Sequence, residues 1–92
     1  MSRVLIVEDE PVIAIGLRDS IEADGYQSDV VGNGKDGFEK ARTGAYDLVL
    51  LDVMLPGRDG LSVCRELRAS GVATPIIMLT AKGQEADKIR GL

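Results

Sequence analysis

Tyr46-Asp47-Leu48-Val49-Leu50-Leu51-Asp52, followed by Val53-Met54-Leu55-Pro56-Gly57, decides how this chain folds. A short, continuous apolar run rich in branched residues suits a strand buried on both faces. An acid placed directly after such a run, ahead of Pro56-Gly57, does not make a typical hairpin turn. Two runs of the same kind flank it in sequence, Val4-Leu5-Ile6-Val7 and Ile76-Ile77-Met78-Leu79. A weaker strand candidate covers Gln27 to Val31, where Val30-Val31 supplies the apolar pair.

Helical patterns fill the intervals. The first begins at Pro11, with Asp9 or Glu10 in position to cap it and proline suited to the first turn. Its apolar stripe is Ile13, Leu17 and Ile21, and Asp24-Gly25 marks its stop. The second runs from about Lys35 to Thr43 with Phe38 and Ala41 inward, after a turn at Gly32-Asn33-Gly34. The third runs from about Gly60 to Ser70, capped by Asp59, with Leu61, Cys64 and Leu67 expected on its inner face. A fourth starts near Gln84, with Ala86 and Ile89 inward. Strands alternating with helices at this spacing predict an α/β domain with a parallel sheet covered on both sides and right-handed crossovers. No internal repeat, linker or low-complexity stretch interrupts the pattern.

At 92 residues the chain holds one domain with a small core. Its net charge of −4 argues against direct nucleic-acid binding, which needs a basic face. The apolar runs are too short to span a bilayer, and Glu8-Asp9-Glu10 follows Val4–Val7 too closely for a signal peptide. One cysteine, Cys64, cannot form an internal disulfide. It reads as a core residue in a reducing compartment, which makes the cytoplasm the expected location.

In parallel sheets, ligands bind beyond the carboxyl ends of the strands. Those ends carry Glu8 and Asp9 after the first strand, Asp52 after the third and Thr80 after the fourth. If the first and third strands are neighbours, three carboxylates converge. Like charges that close disfavour joint ionisation. A hard divalent cation held through oxygen relieves the conflict, and Mg²⁺ characteristically combines one or two carboxylates with phosphate and water. The competing structural reading has Asp9 and Glu10 merely capping the first helix and Thr80 merely ending a strand.

Along its whole length the chain resembles the receiver domains of two-component response regulators. The resemblance rests on Val7-Glu8-Asp9-Glu10-Pro11, on Tyr46 through Asp52, on Met54-Leu55-Pro56-Gly57-Arg58-Asp59-Gly60 and on Thr74 through Ala81. It is most similar in style to regulators with a winged-helix DNA-binding output. The resemblance implies a flavodoxin-like fold with strand order 2-1-3-4-5, of which this chain would supply 2-1-3-4. It implies Asp52 as phosphoacceptor, Asp9 as a direct Mg²⁺ ligand, Glu8 as an assisting one through water, and the backbone carbonyl of Met54 as a further ligand. Thr80 would be the switch hydroxyl, Ala81 the small neighbour that leaves room for the phosphoryl group, and Pro56-Gly57 the shape of the loop. A histidine kinase is the implied partner.

The family pattern also has a fifth strand, a lysine after it and a fifth helix. Lys82 and Lys88 do not match that lysine. Residues 1–92 are therefore expected to be one receiver domain, incomplete at its C-terminal end. A lost lysine–phosphoryl bond costs about 1.5–3 kcal/mol, and an uncovered sheet face favours self-association as a homodimer, by exchange of elements between chains. An alternative is thus a fragment unable to hold phosphate that acts only in self-association. An aspartate-nucleophile phosphatase is disfavoured because Met54 stands where such enzymes need a second Asp. A flavin or nucleotide module is disfavoured because Glu8-Asp9-Glu10-Pro11 would repel phosphate without a metal.

Overall fold

The apolar runs form strands because their side chains can be buried on alternate sides of one sheet. In the structure, a computed structural model that describes residues 2–79, β1 spans Arg3–Val7, α1 Pro11–Ala23, β2 Gln27–Val31, α2 Gly34–Ala41, β3 Leu48–Asp52, α3 Gly60–Ala69 and β4 Ile76–Leu79. All pairings are parallel, in the order β2-β1-β3-β4. This is the flavodoxin-like order expected, with four strands and three helices among the described residues. The helix expected from near Gln84 lies outside them, as do Thr80, Ala81, Lys82 and Lys88.

Period-two alternation divides the core. Leu5, Val7, Val49 and Leu51 face one side and pack with Ala41 of α2 and Val63 and Leu67 of α3. Val4, Ile6 and Leu50 face the other side, where Leu17 and Ile21 of α1 cover them. Leu5, Ile6 and Leu51 are wholly buried, and each such side chain contributes about 1.5–3 kcal/mol over exposure. β4 departs from the expectation of burial on both faces, since Ile77 remains 49% exposed. It is an outer strand of the described sheet, next to β3 alone.

The inner face of α3 also differs from expectation. Leu61 is 53% exposed, whereas Val63 and Leu67 are buried and Cys64 packs beside them in part. A stripe at i, i+3, i+6 drifts by about 60° at each step, while an i, i+4 pair drifts by about 40°. Val63 and Leu67 therefore hold the same face better than Leu61, Cys64 and Leu67. α2 starts at Gly34, ahead of the expected Lys35, and ends at Ala41 before Thr43. Asn33 is its cap, with the side chain accepting from the Asp36 N–H at 2.8 Å.

A partly buried polar contact ties β2 to the chain entering β3. The Tyr46 hydroxyl donates to Asp29 Oδ2 at 2.7 Å, and Arg3 lies 3.8 Å from the same oxygen. Burial, then the hydrogen bond and charge of Asp29, push the Tyr46 phenol up to about 12, against an opposing effect of Arg3. No helix among the described residues is long and apolar enough to cross a membrane.

Candidate functional site

The register of β1 on β3 pairs Val7 with Leu51, so the residues that follow, Glu8 and Asp52, emerge side by side at the carboxyl edge. Asp9 comes one residue later, before α1 begins. The fold thus brings together three of the acids singled out in the sequence. One carboxylate oxygen from each of Glu8, Asp9 and Asp52 lies within 4.8 Å of the other two. Asp52 is 0% and Glu8 3% exposed, while Asp9 faces solvent.

Backbone donors aim two of these carboxylates. The Glu10 N–H donates to Glu8 Oε2 at 2.9 Å, and the Met54 N–H donates to Asp52 Oδ1 at 3.2 Å. Glu10 occupies the cap position of α1, yet its side chain makes no capping bond. The capping reading therefore does not account for Glu10, and Pro11 removes one of the amides a cap would serve.

The loop after Asp52 is held closely. Val53 N–H donates to the Leu79 carbonyl at 2.9 Å, and Gly60 N–H to the Val53 carbonyl at 2.7 Å. A Cβ on Gly60 would collide with the Asp52 carbonyl, so only glycine lets α3 start this close to β3. Asp59 caps α3 as expected, accepting from the Ser62 N–H at 2.7 Å. The Met54 side chain is 61% exposed, and the loop it belongs to walls an open cleft of about 670 Å³ with Asp9, Leu61 and Arg65 on its other sides.

The donor set is oxygen alone. The chain has no histidine, and Cys64 sits on α3, away from the acids in sequence and element. Three hard carboxylates suit Mg²⁺, Ca²⁺ or Mn²⁺ rather than zinc or copper. Burying Asp52 and Glu8 beside Asp9 is costly when all are charged, and a divalent cation offsets that cost. The residues present therefore fit a Mg²⁺-type ion.

Two contacts were not legible in the sequence. One is the Tyr46–Asp29 bond. The other is the Arg58 guanidinium, which lies 5.3 Å from the Phe38 ring centroid and 2.5 Å from a Glu66 oxygen. Neither follows from spacing, because each joins residues from different elements.

Comparison with known proteins places the chain among relatives. The family described as response regulator receiver domain matches residues 4–92. The transcriptional regulatory protein DltR of Streptococcus agalactiae serotype III is 52% identical over 90 residues, which is 98% of this chain and 40% of DltR. The chain thus spans about two fifths of the length of the curated relatives it matches. Among solved structures, the response regulator TrrA of Thermotoga maritima in complex with Mg²⁺-BeF superposes with a TM-score of 0.82 at 39% identity, over 95% of this chain and 76% of TrrA. A complex of the histidine kinase ThkA with TrrA gives a TM-score of 0.81 at 42% identity, over 88% of this chain and 70% of that one.

Proposed function

The chain belongs to the response regulator receiver domain family, and from that premise we propose that it is a phosphoacceptor taking a phosphoryl group onto Asp52. The observation that carries this is the wholly buried Asp52 at the end of β3, with oxygens of Glu8 and Asp9 within 4.8 Å. An Asp52 carboxylate oxygen attacks the phosphorus of a phosphohistidine on a kinase, or of a small acyl phosphate. The new P–O bond forms as the P–N or donor P–O bond breaks, giving an aspartyl phosphate. The chemistry a bound Mg²⁺ supplies here is neutralisation of charge on the transferring oxygens.

Asp9, Asp52 and the Met54 carbonyl would hold that cation, with Glu8 assisting, and its charge would offset the carboxylates gathered there. Glu10 and Met54 donate the N–H groups that keep Glu8 and Asp52 oriented. Thr80 is assigned the switch hydroxyl. The added charge then biases a two-state surface, a regulatory rather than an enzymatic output. Similarity to transcriptional regulatory proteins supports a cytoplasmic receiver feeding a transcription-regulating output, with a histidine kinase as donor.

Incubation with Mg²⁺ and acetyl phosphate, followed by intact mass measurement beside Asp52→Asn, tests the assignment. One phosphoryl adduct on the wild type alone is expected. An adduct on both proteins removes Asp52 from the role, and none on either removes phosphoacceptor activity from this chain.

A further inference from the structure

The loop that joins Asp52 to α3 is tied down at its start by Val53 and at its far end by Arg58. Arg58 is held three ways, by groups from two other elements. Its backbone packs on Gly34, where an added Cβ would come within 2.8 Å of the Arg58 carbonyl oxygen. Its guanidinium lies 5.3 Å from the Phe38 ring centroid of α2. It also pairs with Glu66 of α3 at 2.5 Å. Cation–π contact and a planar, charged fork together restrict a guanidinium more than either does alone.

Between the two ties lies Met54, whose N–H touches Asp52 Oδ1 at 3.2 Å. Pro56 fixes one backbone angle between Met54 and Arg58, and Arg58 N–H donates to the Pro56 carbonyl at 2.9 Å. Gly57 stands between them at φ 82°, and the Arg58–Pro56 bond closes the turn around it, so Arg58 and Met54 are joined through a closed turn.

We propose that Arg58 is a positioning residue for the cation site: its clamp between Phe38 and Glu66 sets where the Met54 backbone stands against Asp52. This rests on the proposed phosphoacceptor role. Arg42 supplies an internal control. Its guanidinium also lies over Phe38, at 5.9 Å, and pairs with Glu39 at 3.2 Å, but it sits at the end of α2 and not on the loop.

The test is calorimetric titration of the 92-residue chain with Mg²⁺, alongside the rate of adduct formation with acetyl phosphate. Arg58→Ala is expected to weaken Mg²⁺ binding by about tenfold, the scale of losing an outer-shell support, and to slow adduct formation in step. Arg58→Lys keeps the charge and the Glu66 pairing, so it should recover part of the affinity. Glu66→Gln should give a smaller loss in the same direction, and it keeps the test open if Arg58→Ala fails to fold. Arg42→Ala should bind Mg²⁺ as the wild type does. The proposal is overturned if Arg58→Ala and Glu66→Gln leave Mg²⁺ affinity unchanged, or if Arg42→Ala weakens it as much as Arg58→Ala. A wild type that binds Mg²⁺ but takes no phosphoryl group overturns the phosphoacceptor reading and leaves the clamp standing. A wild type that binds no Mg²⁺ overturns both.

Discussion

Two regions along the strands treat their acids differently. Away from the carboxyl edge, mid-strand Asp29 accepts from Tyr46 and lies near Arg3, while Asp47, before β3, accepts from the Arg3 backbone N–H at 2.8 Å. At the carboxyl end, Glu8, Asp9 and Asp52 bring three like charges within 4.8 Å. Opposite charges and donors placed together hold a fold. Like charges gathered at the end of a parallel sheet instead create a demand that a cation can meet. Acid count alone separates the two regions poorly; how closely the acids approach one another separates them well.

The widest gap between the regions should appear when Mg²⁺ is added. At a hundred times its dissociation constant, a ligand that binds only the folded form stabilises it by about 2.7 kcal/mol. For a domain this small that is on the order of 10–20 °C in the melting temperature. Asp9→Asn should lose most of that shift, and Asp29→Asn should keep it. Scanning calorimetry with and without Mg²⁺ checks this, and equal losses in the two variants would erase the distinction.

Gly60→Ala should come next. The collision with the Asp52 carbonyl forces the start of α3 away from β3, at a cost of about 1–3 kcal/mol. Urea unfolding measures it. A neutral result would mean that the close approach at the carboxyl edge is easily relaxed.

The smallest effect belongs to the amino side. Tyr46→Phe removes one hydrogen bond, a loss of about 0.5–1.5 kcal/mol near neutral pH. The Tyr46 phenol is raised from 10.0 to about 12, so the folded form holds this proton more tightly than the unfolded form. Its contribution is fully present below pH 10.0 and is lost as pH rises toward about 12. The stability difference between wild type and Tyr46→Phe should therefore shrink across that window. A gap that stays constant in urea titrations from neutral to alkaline pH would contradict the Tyr46–Asp29 bond.

Much of this is legible in the sequence. β1 and β3 announce themselves because they are buried on both faces and need unbroken apolar runs. Glu8, Asp9 and Asp52 could be found because the strand ends are fixed once the strands are. What failed had a shared cause. Leu61 and Val63 both lie on an amphipathic helix with apolar residues on several sides, and only packing selects the inner one. β4 reads like β3 in sequence, yet its place in the sheet leaves Ile77 open. The Arg58 clamp assembles from the loop, α2 and α3, and no spacing along the chain encodes a contact among three elements.

The Tyr46–Asp29 bond also governs how this protein can be watched by light. With no tryptophan and two tyrosines, its ultraviolet emission comes from Tyr46 and the half-exposed Tyr26. Tyr46 emits from beside a carboxylate acceptor on the amino side, roughly 10–15 Å along the strands from the acidic cluster at about 3.3 Å per residue. Native emission should therefore follow unfolding faithfully and stay nearly silent when an ion enters the acidic cluster. An optical readout of that event needs a chromophore planted at the carboxyl end of the strands.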